Sequence, residues 1–542
     1  MKRSWWPLVV VLLLFAGRLA WIWMSDGGNR QSQVMASAIS LIVAGFLILV
    51  WLLLMSPFSW GIRLRFIAAF ALVVLMGSTL FRIEGVDGDL RPIVGLRWGG
   101  ELTTPTTGDA AMVEAGPGDF PQFLGPARNG KIDSIQLDPD WESSPPELVW
   151  RQPIGDGWSG FAVVGNAAIT QEHRGPDELV SRYELDTGAL VWTYATQQRY
   201  ETTIGGTGPR ATPTVAGDRV ITVGATGHLA ALDLVTGEAL WSHELADFDV
   251  STPDWGRSAS PMVLHDTVLG STVIVPAGGT TDRPAPALIA FDLASGDELW
   301  RSEAARNSYS SPVLFELAGY RQIVLFEGAS VSGYALDDGS RLWQTPWDGE
   351  RPNVALPVRL DADRFVVSTG YGIGAAAYRL TATSSTTATP RSDESASDES
   401  ATDESASDEP TTSSVHDVTF ELEQLWKTPR LKAKFSNFVF HDGALYGFDD
   451  GVFVSLDPET GERNWKAGRY GHGQLLLIDD HLLVLAEDGR VLLLRADPTE
   501  HIELASFRAL DDKTWNTPAL AGPYLLARNT NEVAVWRLPV LE

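Results

Sequence analysis

The chain has no cysteine among its 542 residues. That absence excludes a disulfide framework, a thiolate metal site and a cysteine-borne lipid anchor. It leaves an extracytoplasmic location open, because a large domain with its own core needs no disulfides. Basic residues are also scarce, with 41 Lys and Arg against 69 Asp and Glu and a formal net charge of −28. Phosphate binding needs clustered cations, so this balance argues against nucleic acid as a partner. It also disfavours docking of the soluble part on anionic lipid, and the surplus acid is read as solubility. Several chemical signatures are missing: a P-loop, Gly-x-Ser-x-Gly, His-Glu-x-x-His and an EF-hand-like loop. His173, His228, His265, His441 and His481 are scattered at turns without metal-ligand spacing, so no metal site is expected.

Long apolar runs, by contrast, are present. Three open the chain, at about 6–24, 35–55 and 62–81, each near the ~20 residues a helix needs to cross hydrocarbon. They are expected to be transmembrane helices within an anchor spanning 1–84. The first is not a cleavable leader on this reading, since it is long, holds Arg18 and is followed by two more runs. Arg18 is expected to snorkel or to face the other helices. Lys2 and Arg3 precede the first run, and Arg63 and Arg65 link the second to the third, while Arg30 is opposed by Asp26 in the other link. The positive-inside rule then places the N-terminus in the cytoplasm and all residues after about Arg82 outside. Trp5, Trp6, Trp21, Trp23, Trp51 and Trp60 fall near helix ends, where indoles favour the interface. Residues 85–146, rich in Gly, Pro and Thr at their start, read as a stalk and entry segment.

Tryptophan is abundant, at 20 residues, and it recurs on a pattern. Asp186, Gly188 and Trp192 are followed by Asp233, Gly237 and Trp241, then by Asp292, Gly296 and Trp300. Gly339 with Trp343 and Asp457, Gly461 and Trp465 complete the series, and in every copy Trp comes four residues after Gly. Apolar or alternating segments flank each copy. The unit is therefore strand, tight turn, strand, with Asp capping the turn and Gly in the left-handed conformation. A second hairpin precedes each copy, giving four strands per unit, which is one propeller blade. Eight units begin near Phe161, Thr212, Ser260, Ser311, Ala355, Asn437, Gln474 and Thr517. The expected fold is all-β: an eight-bladed propeller of four-stranded antiparallel blades over 147–542, preceded by the three transmembrane helices. The last unit lacks an outer strand, and Glu147–Pro153 is an orphan that would supply it and close the ring. Blades seven and eight have lost the Asp/Gly/Trp turn and are expected to dock more weakly. An insert at about 381–415, rich in Ser, Thr, Ala, Asp and Glu, interrupts the fifth unit; that composition is expected to be disordered.

The Asp-x-x-Thr-Gly-x-x-x-Trp pattern resembles the tryptophan docking motif of PQQ-repeat (pyrroloquinoline-quinone) proteins, in which it ties neighbouring blades. That family includes quinoprotein dehydrogenases and BamB-type scaffold lipoproteins. The stretch 119–130, Asp-Phe-Pro-Gln-Phe-Leu-Gly-Pro-Ala-Arg-Asn-Gly, resembles the entry motif of bacterial PQQ-like propellers. The resemblance implies two functional classes. One is a non-catalytic binding or scaffold module on the outer face of the bacterial inner membrane, with a protein partner or small ligand and no cofactor. The alternative is a membrane quinoprotein oxidoreductase using PQQ and Ca²⁺. No convincing set of Ca²⁺ ligands is visible, so the first is preferred and no catalytic residue is assigned. The loops before the innermost strands point to the axis, which makes Trp158, Arg210, Arg257, Tyr309, Asn353, Lys434, Asn437, His472, Trp515 and Asn516 the candidate ligand-binding residues of a funnel mouth.

Overall fold

The computed structural model describes residues 5–24, 30–88, 90–97, 113–202, 204–267, 270–348, 351–384 and 415–541. The acidic run expected to be disordered falls almost entirely at 385–414 and so lies outside the described residues. The strands that flank it run on to Ser384 and resume at Val418, pairing as far as Ser384 with Val418. The insert thus replaces the turn between the third and fourth strands of the fifth blade.

Three helices come first: α1 (Trp6–Met24), α2 (Arg30–Leu54) and α3 (Trp60–Leu80). All three are long and apolar enough to cross a membrane. Their side chains, among them Leu13, Leu14, Ile42, Phe46, Phe70 and Val73, are largely uncovered by protein, as lipid-facing residues would be. The second helix begins at Arg30 rather than at 35. Its first turn is polar, and hydropathy alone misses a helical turn that satisfies itself: Gln33 donates to Ile22 O and Ser37 to Gln33 O. Arg18 faces α2, donating to Ser40 Oγ at 3.0 Å. Arg63 is buried and caps the C-terminal end of α2, donating to the carbonyls of Leu53, Ser56 and Phe58. Those carbonyls have no intrahelical partner, and a guanidinium fork satisfies three at once.

Eight blades of four antiparallel strands follow, the seventh gaining a fifth, parallel strand from Lys131–Ile132. Seven are continuous in sequence. The eighth takes residues 519–537 for its three inner strands and Glu147–Pro153 for its outer one, in register from Arg537 with Glu147 to Glu532 with Pro153. The ring is closed by pairing the two ends of the propeller, which removes the exposed edges.

The blades are tied by indoles. Trp192 of the first blade donates to Leu234 O in the second, and Trp241 of the second to Leu293 O in the third. Trp300 reaches Leu336 O, Trp426 reaches Pro458 O and Trp465 reaches Asp497 O. In most copies the ring also lies flat on the turn glycine of the next blade: Trp192 on Gly237, Trp241 on Gly296, Trp300 on Gly339 and Trp426 on Gly461. The weak docking expected of the eighth blade is not what the structure shows. Its donated outer strand carries Trp150, which donates to Leu185 O at 2.8 Å and covers Gly188 of the first blade. The docking residue was displaced almost 400 positions in sequence by the ring closure and so escaped the repeat count. The seventh blade does lack the indole. Ala505 pairs with Leu493 at the register position where Trp241 pairs with Ala231 and Trp150 with Val535. Phe507, Trp141 and Trp536 pack there instead, with ring centroids 5.5 and 4.7 Å apart.

The segment read as a stalk is structured in two parts. Phe81–Val86 and Pro92–Leu96 form a hairpin directly after α3. Residues 114–141 then cross the propeller, the stretch 120–132 lying against innermost strands and the loops before them. Phe120 bridges to Val163 in the first blade, Pro121 O accepts from Val215 in the second, and Lys131–Ile132 pair in parallel with Leu477–Ile478 in the seventh. Arg128 is fully buried and donates to the carbonyls of Ser260, Pro261 and Pro312 and to Gln122 Oε1. The entry motif is therefore a plug that fills the channel an eight-bladed ring leaves at its centre.

Candidate functional site

The loops that precede the innermost strands converge at one end of the axis and line a cavity of about 170 Å³. Of the ten expected mouth residues, six line it: Trp158, Arg210, Tyr309, Lys434, Asn437 and Trp515. Aromatic rings form most of the wall. Trp158 and Trp515 lie 5.0 Å apart, and Trp515 and Phe435 lie 4.9 Å apart. Phe123 of the plug also lines the cavity. Lys434 Nζ sits over both Tyr371 and Phe435, at 5.3 and 5.2 Å from the ring centres.

The other four are not among the lining residues. Arg257 is buried and donates to Ser251 O and Ala277 O, and burial pulls its pKa down to about 10. Asn353 joins Glu327 O to Thr369 Oγ1, and Asn516 donates to Gly157 O and Ser159 O. His472 packs edge-on against Phe435. The Arg257, Asn353 and Asn516 side chains thus satisfy backbone groups of irregular loops, which buried loops require. Even Arg210, which lines the cavity, uses its guanidinium on the carbonyls of Gly205, Gly206 and Gly208 and lies 4.7 Å from the centre of the Tyr200 ring. Asn437 likewise accepts from the Leu356 N–H.

Two functional residues escaped the sequence reading. Lys513 lies 4.2 Å from the Trp515 ring centre and 4.8 Å from that of Trp158, and burial pulls its pKa down to about 8. Glu487 accepts from the Trp515 indole at 2.8 Å and from the His472 backbone N–H at 3.0 Å. Glu487 comes from a turn between the second and third strands of the seventh blade, not from a loop before an innermost strand, so the positional rule could not find it.

The mouth is also occupied by the chain itself. Val86, Asp87, Gly88 and Leu90 at the hairpin tip, with Gln31 of α2, line the same cavity. Lys434 Nζ donates to Gly88 O at 2.7 Å and to Gln31 Oε1 at 3.1 Å. The propeller is thereby joined, at its mouth, to the helices.

Next to Arg210 stands Glu178, whose carboxylate accepts the Ala225 N–H at 3.1 Å. Burial pushes its pKa up to about 7 from an ordinary 4.5. A raised carboxyl pKa in the folded state stabilises the protein below the unfolded pKa, and this contribution is lost as pH rises through the folded value. The shift corresponds to about 3 kcal/mol. Glu178→Gln keeps an acceptor for Ala225 and removes the titration. The stability of the variant relative to the native chain should rise between about pH 4.5 and 7 and level off above that in denaturant melts; a constant difference would show that Glu178 does not titrate there.

A Ca²⁺-bound quinone does not fit this lining. Ca²⁺ takes six to eight oxygens. Among the described lining residues the only carboxylate is that of Asp87, and the nearby Glu487 already accepts three N–H donors. The rest of the lining is apolar, aromatic or cationic apart from the neutral side chains of Gln31, Ser258, Ser311, Asn437, Gln474 and Thr517, of which Gln31 and Asn437 already accept hydrogen bonds. Among the described residues one group has metal-ligating geometry, Asp337, Asp338 and His416, and it is exposed at the rim of the fourth blade. His416 there bonds Asp337 at 3.0 Å, which raises its pKa.

Residues 144–313 and 251–409 match the family model described as outer membrane protein assembly factor BamB. Among solved structures, BamB from Moraxella catarrhalis is similar at 17% identity, over 72% of this chain and 100% of that one, with a TM-score of 0.48. A europium-containing methanol dehydrogenase is similar at 11% identity, over 78% and 98%, with a TM-score of 0.46. A quinohemoprotein alcohol dehydrogenase from Pseudomonas putida HK5 follows at 11%, over 79% and 81%, with a TM-score of 0.40. No curated protein matches the chain. At such identities no activity passes from one protein to another. The domain is an eight-bladed propeller whose residues 144–409 are similar to the PQQ-repeat family model described as BamB.

Proposed function

We propose that the chain is a membrane-anchored, extracytoplasmic binding module without catalytic chemistry, and that the funnel mouth is its recognition surface. One observation carries this reading. The mouth side chains hold a peptide turn by its backbone: Lys434 and Lys513 donate to main-chain carbonyls, and Glu487 accepts a main-chain N–H. Aromatic walls around backbone-directed charges suit peptide recognition. They do not suit a Ca²⁺-bound redox centre, for which the lining offers one carboxylate among the described residues. The three apolar helices support anchoring, and the distribution of Lys and Arg about them supports a cytoplasmic N-terminus with an external propeller.

The test has two arms. Purified full-length protein incubated with excess PQQ and Ca²⁺ and then passed through a desalting column should carry no quinone absorbance; one quinone per chain would restore the oxidoreductase reading. Alkaline phosphatase fused after Glu542 should be active in cells. An inactive fusion would put the propeller on the cytoplasmic side.

A further inference from the structure

The grip on the hairpin tip is more selective than a general peptide site needs. The Gly88 N–H donates to Glu487 Oε1 at 2.8 Å, Gly88 O accepts from Lys434, and Val86 O accepts from Lys513 Nζ at 2.8 Å. Trp515 and His472 fix the same carboxylate from behind. These bonds read backbone and are blind to side-chain identity. Gly88 itself is not interchangeable, because it is buried and a Cβ added to it would overlap the His472 imidazole. The turn is closed from within: Leu90 N–H donates to Asp87 O at 2.9 Å, and Arg91 N–H donates to Asp87 Oδ1 at 2.7 Å. Charge around the site is complementary to an acidic turn, with Lys434, Lys513 and Arg210 set against Glu487.

The occupant belongs to a sheet that has two strands among the described residues, and such a hairpin is marginal in water by itself. Ile83 and Val94 on it are exposed. Its advantage over a competing segment is mainly that it is tethered.

We propose that the mouth is a glycine-selective clamp for a tight Asp-Gly turn, that residues 86–88 are its resident occupant, and that a partner protein engages the mouth by presenting a similar turn which displaces this tip. This rests on reading the mouth as the recognition surface.

The probe is a fluorescein-labelled nonapeptide with the sequence of residues 84–92, titrated by anisotropy against the full-length protein in detergent. Gly88→Val should evict the tip, so this variant should bind the peptide at least tenfold tighter than the native chain, whose mouth is filled. The same peptide with valine at its central position should not bind. Adding Lys434→Ala and Glu487→Gln to the Gly88→Val chain should weaken binding more than tenfold. Equal binding of the glycine and valine peptides would remove the selectivity and leave the general peptide reading standing. No binding of any peptide to the vacated mouth would remove both. A second measurement does not depend on the Gly88→Val fold. In a chain with no other cysteine, Leu90→Cys should react slowly with a maleimide-polyethylene glycol, and excess nonapeptide should speed the reaction several-fold. An unchanged rate would show that the tip does not exchange.

Discussion

Deleting residues 147–153 from the full chain should abolish recovery of monomeric protein. These residues are the outermost strand of the eighth blade, paired along their whole length with Glu532–Arg537, and their loss exposes a row of unpaired N–H and C=O groups. The same strand carries the indole that joins the eighth blade to the first. Trp150→Ala, a milder change, should lower stability by about 2–4 kcal/mol, since it removes a half-buried indole and its hydrogen bond. Gly188→Val should cost a similar amount. Gly188 has φ +73, and an added Cβ would lie 2.7 Å from the Trp150 ring. Because both changes damage one junction, the double variant should lose less than the sum of the two. The check is size-exclusion chromatography of the deletion and denaturant melts of the three substituted proteins. Monomeric, cooperatively folded deletion protein would mean that the ring does not need this strand.

The second large effect is expected at Arg128. Arg128→Met should destabilise the propeller by roughly 3–5 kcal/mol, comparable to breaking a buried charged network. The guanidinium is completely enclosed, and burial pulls its pKa down to about 9. Three main-chain carbonyls and Gln122 Oε1 depend on it. Methionine fills the volume but takes the donor from Ser260 O and Pro312 O, while Pro261 O keeps only its bond from Thr214 Oγ1. Relief from desolvating the cation offsets only part of that. Arg128→Lys should fail almost as badly, because an ammonium cannot present the planar fork that spans the third and fourth blades. Melting the two variants beside the native chain distinguishes these outcomes. A lysine variant as stable as the native protein would show that charge alone is needed.

The repeat was legible because its constraints are local. A turn glycine with positive φ, an Asp that caps its own loop and an indole four residues on are set within about ten residues, so each copy announces itself. The closing strand was legible for a related reason, since an orphan strand at one end matched a missing one at the other. The mouth was legible only in part. Trp158, Tyr309, Lys434 and Trp515 do line the cavity, but Arg257, Asn353 and Asn516 spend their polar groups on neighbouring backbone. In a strand, side-chain direction follows from parity. In an irregular loop it follows from which buried carbonyl happens to need a donor.

Sequence by itself therefore determined the three apolar helices, the number of blades, the closure of the ring and the family resemblance. All of these are periodic, compositional or short-range. Tertiary structure alone decided three other things: that Trp150 is the eighth blade's docking residue, that the entry motif fills the axial channel through Arg128, and that the hairpin tip at Gly88 sits in the mouth between Lys434, Lys513 and Glu487. Each of these joins residues more than thirty positions apart, and the last joins residues more than three hundred apart. Such contacts form because a closed ring leaves an axial void and two mouths whose polar groups must find partners. No local pattern records which segment of the chain will supply them.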